Sequence, residues 1–420
     1  MKKSILILLL AAGNLLFGAA KINGSVNRPN ALFKCGENAV FTVSVTENGK
    51  PVAGKVNLTL SLDGKTQIKS LTADLDAKGK AVISGTLNKP GFLRLSAEII
   101  HNNKRSGFVA SAGFEVEKIR PAAAEPADFD RFWANALKKS AALPSDLKME
   151  KLEKYSTALT TAYKVSISAP AGKVYGFLRI PNGKAPFPMI VSVPGAGAGV
   201  DAPEAENNSG VASLMVNIHN YDPMIPGKTI MQSYRELTAK GHYIYMGYEN
   251  VEKSYLYRAV IGINRMIDAV SALPEIDGKR LGCSGSSQGG GFGLILAGLV
   301  PGRFRTIVCN IPALCDISGY KAGRSGGWPA ISENTRELSE KSRENFAYFD
   351  AASFGKRIKN TRVVVIAGLA DTVCSPSSIH AMYNTLGTEN KKIIRIVPMP
   401  HQVWANYLHE INVMREALKK

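Results

Sequence analysis

The chain has 420 residues, of which 45% are hydrophobic and 20% charged, a composition typical of a globular protein with room for two domains. Its formal net charge is +18, yet the sequence contains no basic run, which argues against nucleic-acid binding. Two interpretations of the charge stay open: attraction to an acidic partner such as an acidic polysaccharide, or a basic surface that favours solubility.

Residues 1–20 are typical of a secretory signal peptide. Lys2 and Lys3 precede an apolar stretch from Ile5 to Phe17. Gly18-Ala19-Ala20 then offers small side chains for cleavage after Ala20. The apolar stretch is short for a membrane span, and no later segment is apolar enough to cross a bilayer. We therefore expect a bacterial protein exported to the periplasm or the extracellular space, without a membrane span.

The cysteines indicate neither a disulfide framework nor a metal site. Their number is odd, so at least one has no partner within the chain. Cys283 and Cys309 lie in apolar runs and are interpreted as buried core residues. Pairing of Cys309 with Cys315 stays open. No spacing of cysteine and histidine is typical of a zinc site, so we expect no metal.

Residues 21–118 show the pattern of an all-β domain. Phe41, Val43 and Val45 alternate with polar neighbours, and later short runs do the same. Turn signals such as Asp63-Gly64 separate the runs. This spacing predicts an immunoglobulin-like sandwich. No catalytic cluster is evident in it, and two roles stay open: a spacer or packing module, or a carbohydrate-binding module.

Residues 119–420 form a second predicted domain. A Pro/Ala stretch, Arg120 to Pro126, is the expected linker, and an apolar stripe predicts a helix that begins near Asp128. Farther on, nearly continuous apolar strands alternate with helices, which indicates a parallel sheet covered on both faces. The predicted strands of this sheet are Pro188 to Val193, Leu214 to Ile218, Arg280 to Ser284, Arg305 to Cys309, Arg362 to Ala367 and Lys392 to Val397.

The strongest motif is Gly285-Ser286-Ser287-Gln288-Gly289. It follows an apolar strand and precedes a stretch of small and apolar residues that is typical of a helix. A strand, a G-x-S-x-G turn and a helix make up the nucleophile elbow of α/β-hydrolases. The two glycines permit the sharp turn that exposes the serine hydroxyl. We therefore predict an α/β-hydrolase fold with a doubly wound sheet and Ser287 as the nucleophile.

A serine nucleophile needs a base, and the base needs an acid that orients it. In α/β-hydrolases the acid follows the serine in the chain and precedes the histidine. Asp371 comes directly after the predicted strand Arg362 to Ala367. Asp316 and Asp350 are alternatives, but neither follows a strand so directly. Asp371 is therefore the predicted acid.

Three histidines lie after Asp371 in the chain. His380 falls within a predicted helix, and His409 lies in the C-terminal helix. His401 follows the last predicted strand in a loop, where a base is expected to reach Ser287. His401 is therefore the predicted general base.

The oxyanion of a tetrahedral intermediate needs backbone donors. One predicted donor is the amide of Gln288, next to the nucleophile. The other is the amide of Ala196, in the glycine-rich loop Pro194 to Gly199 that follows a strand. No Walker lysine follows this loop, so phosphate binding is not expected.

Together these residues resemble the acetyl xylan esterase/cephalosporin C deacetylase family of carbohydrate esterases. The similarity extends from about Pro121 to the C-terminus. It implies a serine esterase that removes acetyl groups from carbohydrate and needs no cofactor. The motifs that carry it, in the family's order, are Pro126 to Trp133, Tyr257-Arg258, Leu273 to Asp277, Gly285 to Gly290, Ile311 to Asp316, Tyr348 to Ala351 and Gly368 to Cys374.

The sequence departs from the family's pattern at three places. Pro194-Gly195 stands where the family often has His-Gly, and Gln402 follows His401 where glutamate is common. His219-Asn220-Tyr221 stands where the family has Arg-Gly-Gln, which puts the family's substrate preference and hexameric assembly in doubt. Loops beyond the carboxyl ends of strands line the ligand crevice in such sheets. Two interpretations of this segment stay open: His219 and Tyr221 contact the sugar, or they only hold the loop.

The sequence favours a secreted serine esterase that acts on an acetylated polysaccharide or its oligosaccharides. Another α/β-hydrolase that cleaves a different ester or a peptide is one alternative, because fold alone does not define the substrate. A polysaccharide-binding protein with a degenerate catalytic domain is another. The order of Ser287, Asp371 and His401 argues against that second alternative.

Overall fold

The computed structural model describes residues 20–202, 210–332, 335 and 338–420. The predicted signal peptide lies almost entirely outside the described residues. Among the helices that the structure does describe, none combines the length and the apolar character needed to cross a membrane.

The N-terminal part of the chain folds into two β-sheets. In the described residues, one sheet has the order β1-β3-β4, with β7 also pairing with β3, and the other has the order β2-β9-β8-β5-β6. The strands are β1 (Lys21–Val26), β2 (Leu32–Phe33), β3 (Ala39–Glu47), β4 (Lys50–Pro51), β5 (Lys55–Leu62), β6 (Thr66–Asp74), β7 (Lys80–Gly85), β8 (Gly91–His101) and β9 (Lys104–Phe114).

Alternation along the strands explains how the two sheets share one core. Phe41, Val43 and Val45 on β3 are fully buried, whereas the residues between them are partly exposed. Successive side chains of a strand point to opposite faces, so each sheet turns one apolar face inward. Val56, Leu58 and Leu60 on β5 belong to the same hydrophobic cluster. The predicted all-β N-terminal fold is therefore confirmed.

The rest of the chain alternates strands with helices. Its strands are β10 (Lys148–Lys151), β11 (Thr160–Ala169), β12 (Gly172–Pro181), β13 (Phe187–Val193), β14 (Ala212–Val216), β15 (Ile276–Ser286), β16 (Phe304–Asn310), β17 (Arg362–Gly368) and β18 (Lys391–Ile396). Its helices are α1 (Phe129–Ala141), α2 (Ile230–Thr238), α3 (Tyr255–Ser271), α4 (Gln288–Leu299), α5 (Glu340–Asn345), α6 (Ala351–Gly355), α7 (Pro376–Tyr383) and α8 (Tyr407–Lys419).

These strands form one mixed sheet with helices on both faces. Across the described residues the order is β10-β11-β12-β14-β13-β15-β16-β17-β18. The first strands pair antiparallel, and the run from β14 to β18 is parallel. Val363 and Val365 on β17 join the large core that contains α3 and α4, whereas Val364 and Ile366 join a second core with α8. The α/β-hydrolase fold is therefore confirmed.

All five cysteines lie in the described part of the chain, and each is a free thiol there. Cys315 donates to the backbone oxygen of Ala313, with 3.3 Å between sulfur and oxygen. The pairing of Cys309 with Cys315 that the sequence left open is therefore not formed in this structure.

Candidate active site

The turn between β15 and α4 holds Ser287 in a strained backbone conformation. Its φ is 54° and its ψ is −121°, values that a residue with a side chain seldom adopts. Methyl groups on Gly285 or Gly289 would overlap the backbone, that of Gly289 at the carbonyl oxygen of Val193. The glycines of the motif thus let α4 approach the sheet closely enough to expose the serine at the strand ends.

Ser287, His401 and Asp371 form one chain of hydrogen bonds. The hydroxyl of Ser287 lies 3.1 Å from Nε2 of His401, and Nδ1 of His401 lies 2.8 Å from Oδ2 of Asp371. Both residues are buried: Asp371 has no exposed surface, and Ser287 keeps an exposed fraction of 6%. With the proton on Nδ1, Nε2 is free to accept the proton of the serine.

Two backbone amides fix the second carboxylate oxygen of Asp371. Its Oδ1 accepts hydrogen bonds from the amides of Val373 at 2.8 Å and Cys374 at 2.9 Å.

The two aspartates that the sequence offered as alternative acids bond to other groups. Asp316 accepts from Arg324 at 2.7 Å, and Asp350 accepts from the amide of Ala352 at the start of α6.

The alternative histidines lie away from the serine. The ring of His380 is buried in α7, where Nδ1 bonds to the carbonyl oxygen of Pro376 and Nε2 accepts from Arg395. Burial and the nearby Arg395 lower the pKa of His380 to about 3, so it stays neutral. His409 is exposed on α8. Of the three histidines after Asp371, the structure brings only His401 to Ser287.

The predicted oxyanion donors lie on two neighbouring backbone segments. Gln288 is the first residue of α4, so its amide has no partner inside the helix. Ala196 lies in the loop after β13, the strand that pairs with β15. The side-chain oxygen of Gln288 accepts a hydrogen bond of 2.7 Å from the hydroxyl of Tyr243, which fixes this side chain beneath the elbow.

His219 and Tyr221 contact the backbone of that same loop. Nε2 of His219 lies 2.7 Å from the carbonyl oxygen of Gly197, and its Nδ1 bonds to the hydroxyl of Tyr255. Tyr221 donates its hydroxyl to the carbonyl oxygen of Ala198.

These contacts favour a loop-holding role for His219. Its ring is fully buried, and both nitrogens have protein partners. Burial lowers the pKa of His219 to about 4, which keeps the ring neutral and lets Nε2 donate. The ring of Tyr221, partly exposed, stacks on it with 5.0 Å between centroids. Direct sugar contact therefore stays a prediction, and in this structure Tyr221 is better placed for it than His219.

Tyr243 and Tyr255 are parts of this arrangement that the sequence analysis missed. Both rings are buried against the ring of His219, with centroids 5.1 and 5.8 Å away. Tyr255 begins α3, and Tyr243 lies in a 3-10 helix, far in sequence from the loop that they support. In the sequence, both tyrosines lie among apolar residues. The same is true of any core tyrosine, so this pattern does not predict a contact with His219.

One group of side chains near the serine has the composition of a metal site. Ligand atoms of Asp371, Cys374 and His401 lie within 4.8 Å of one another. A metal ion there would displace the hydrogen bond that Asp371 accepts from Nδ1 of His401. Burial also raises the pKa of the Cys374 thiol well above its ordinary value, which disfavours the thiolate that a metal would need. The group is better suited to hold a proton, and the absence of a metal or other cofactor stays a prediction.

The fold and this chain of hydrogen bonds define an α/β-hydrolase. The model of the family described as acetyl xylan esterase (AXE1) matches residues 114–415. The chain belongs to the acetyl xylan esterase family, a family of carbohydrate esterases.

Similar proteins agree with this assignment. The chain is 29% identical over 374 residues to the acetyl esterase Axe7A of Xylanibacter ruminicola, a match that covers 88% of this chain and 84% of that protein. The structure is similar to acetyl xylan esterase 1 from Thermoanaerobacterium sp. JW/SL YS485, with a TM-score of 0.61 and 19% identity over 73% of this chain and 98% of that one. The acetyl xylan esterase from Paenibacillus sp. R4 gives a TM-score of 0.60 and 22% identity over 72% and 98% of the two chains.

Proposed function

We propose that the protein is a secreted serine esterase that removes acetyl groups from a polysaccharide or its oligosaccharides through an acyl-enzyme. The observation that carries the proposal is the hydrogen-bonded chain of Ser287, His401 and Asp371 at a strained elbow. Family membership supports an esterase acting on acetylated carbohydrate. The names of the relatives, an acetyl esterase and two acetyl xylan esterases, support acetyl as the group removed.

In the first half of the reaction, Ser287 attacks the acetyl carbonyl carbon. Nε2 of His401 takes the hydroxyl proton as the new carbon–oxygen bond forms. Asp371 accepts from Nδ1 throughout and stabilises the imidazolium by its negative charge. The tetrahedral intermediate then expels the sugar oxygen, which takes the proton from Nε2 and leaves as a sugar hydroxyl. The acetyl group remains on the serine oxygen.

In the second half, water replaces the sugar. His401 takes a proton from the water, whose oxygen attacks the acetyl carbon. The bond to the serine oxygen then breaks, and the proton on Nε2 returns to that oxygen. Acetic acid leaves and loses its remaining proton to the solvent to become acetate, and the enzyme is restored. His401 carries each proton that moves to or from the serine and sugar oxygens.

The negative charge of each intermediate falls on the former carbonyl oxygen. We assign its stabilisation to the backbone amides of Gln288 and Ala196. A donor of this kind is worth about 3 kcal/mol when it is held rigidly before the reaction. His219 and Tyr221 supply this rigidity, because each bonds to a carbonyl oxygen of the loop that contains Ala196.

The proposed compartment follows from the pattern of residues 1–20, which is typical of a secretory signal peptide. Export to the periplasm or beyond the cell would bring the enzyme to polysaccharide that the cell cannot import whole. The net charge of +18 would also favour association with acetylated polysaccharides that carry acidic groups.

The proposal is tested by acetate release from acetylated xylan oligosaccharides and from a small acetyl ester. Ser287→Ala is expected to lower kcat by several orders of magnitude without loss of the fold. Ser286→Ala is the matched control, because this neighbouring serine only accepts a bond of 2.9 Å from Asn310. Near-normal turnover in folded Ser287→Ala protein, or no acetate release by the unaltered enzyme from any acetylated carbohydrate, would overturn the proposal.

A further inference from the structure

A buried ion pair of the N-terminal sandwich reaches the segment that carries Asp371. Arg94 on β8 donates from Nη2 to Oδ1 of Asp63 at 2.6 Å and to the backbone oxygen of Asp371 at 3.0 Å. The side chains of Arg94 and Asp63 are 5% and 0% exposed. A charged pair removed from water in this way is costly unless its geometry is well satisfied, so its location at this segment needs an explanation.

The same pair also holds the start of α7. The second carboxylate oxygen of Asp63 accepts from the amide and the hydroxyl of Ser377. Asp63 lies in the turn between β5 and β6 with a positive φ of 46°, a conformation that aspartate tolerates in turns. The sandwich therefore contacts both ends of the segment 371–377, which joins the acid to the helix that follows it.

Apolar packing surrounds these polar contacts. Phe92 and Arg94 are two residues apart on β8 and so point to the same face of their sheet. The ring of Phe92 lies 5.1 Å from that of His380 on α7. One small hydrophobic cluster contains residues of both domains: Ala31, Phe92, Val116, Ile119, Leu369 and Ala381. Water is thereby kept from the bond between Arg94 and the Asp371 carbonyl.

We propose that Arg94 and Asp63 are positioning residues that set the orientation of the catalytic acid from the N-terminal domain. The inference rests on the proposed function, in which Asp371 orients His401. The carboxylate of Asp371 is held on one side by the amides of Val373 and Cys374. Arg94 holds the peptide group of the same residue on the other side. These contacts hold the carboxylate with Oδ2 toward Nδ1 of His401.

This proposed role is an alternative to the spacer or packing module, and to the carbohydrate-binding module, that the sequence leaves open for residues 21–118. A passive spacer would bury no charged pair against the catalytic acid. A loosened acid would let the imidazole tilt away from Ser287, and small displacements of a catalytic group lower the rate steeply. The substrate's binding site is untouched by such a tilt, so kcat is expected to fall while KM changes little.

The test uses the full chain with Asp63→Asn and Arg94→Met together. Removing both charges avoids an unpaired buried carboxylate, and the new asparagine oxygen can still accept from Ser377. A serine-directed phosphonate, incubated to completion, counts the competent active sites, and kcat for a small acetyl ester is then expressed per counted site. Thr66→Val is the matched control, because it removes a bond of 2.8 Å to the Gly323 carbonyl across the same domain junction.

We expect the double variant to retain a full count of sites and to lose between about 10-fold and 100-fold in kcat per site. Thr66→Val should match the unaltered enzyme. An unchanged kcat per site, with a full or a reduced count, would show that the pair only holds the domains together and would overturn the inference.

Arg94→Lys provides a second route if the double variant does not fold. It keeps a positive charge beside Asp63, but the lysine side chain is shorter overall than that of arginine. Its ammonium would therefore fall short of the position of Nη2, the atom that bonds to both Asp63 and the Asp371 carbonyl. The kcat per site is again expected to fall, and an unchanged value would overturn the inference. Ser287→Ala, assayed in parallel, separates the two proposals, because activity in that variant would refute the serine mechanism itself.

Discussion

Replacing Asp371 by asparagine tests how the acid controls the proton on His401. The two carboxylate positions are not equivalent, because Oδ1 faces the amides of Val373 and Cys374 and Oδ2 faces Nδ1 of His401. An asparagine must place its oxygen toward the two amide donors, since the opposite orientation would set its NH₂ against both. Its NH₂ group then faces His401.

This orientation changes the tautomer of the base. Nδ1 of His401 would accept from the new amide, so the ring proton would move to Nε2, which faces Ser287. The base could then no longer accept the serine proton. The same change in a serine protease triad lowers kcat about 10⁴-fold, which corresponds to about 5.5 kcal/mol of activation free energy. We expect a loss of this size here, because Asp371 is as completely buried as such an acid can be.

The assay is kcat for a small acetyl ester at neutral pH, with folding checked by thermal unfolding. Asp146→Asn is the matched control, since Asp146 is exposed and an amide oxygen can still accept from the Ser168 backbone amide. It should leave kcat unchanged. If folded Asp371→Asn protein keeps a tenth or more of normal kcat, the asparagine does not move the ring proton of His401 to Nε2.

Four further outcomes are expected. Tyr221→Phe removes the bond to the Ala198 carbonyl and should lower kcat even for a minimal acetyl ester, measured beside the oligosaccharide. Gly289→Ala should lower Tm sharply or prevent folding, because the added methyl group would overlap the Val193 carbonyl oxygen. A chelator should leave activity intact. Burial lowers the pKa of His219 from 6.5 to about 4. Between pH 4 and pH 6.5, His219 is therefore mostly protonated in the unfolded chain and mostly neutral in the folded protein. Its contribution should lower the free energy of unfolding by about 2 kcal/mol from pH 7 to pH 5, and urea titrations of His219→Gln should show a smaller fall.

The main features of the fold could be predicted because local patterns determine them. Apolar residues that alternate with polar ones on β3 and β5 predict a sheet with one buried face. Continuous apolar runs such as Arg362 to Ala367 predict buried parallel strands. Asp371 and His401 could be proposed from chain order alone, because each follows a strand whose carboxyl end lies at the same edge of the sheet as the elbow.

The contacts around the site could not be predicted in the same way. Arg94 and Asp371 are 277 positions apart, and no local pattern shows which surface arginine of a sandwich becomes buried against another domain. Asp63-Gly64 predicted a turn, but the pair gave no sign that Asp63 would bond to Ser377 at the start of α7. Likewise, His219 follows a strand, as a ligand-binding residue does, but the aromatic rings of Tyr243 and Tyr255 enclose it. Long-range packing decides such positions.

Detection of the acetyl-enzyme itself tests the serine mechanism directly. The enzyme is mixed with a small acetyl ester, quenched with acid during turnover and digested for mass spectrometry. We expect one added acetyl group on the peptide that contains Ser287. The same peptide of the Ser287→Ala variant should carry none. An acetyl group found on a different residue in proportion to turnover, or turnover that persists in Ser287→Ala, would contradict this mechanism.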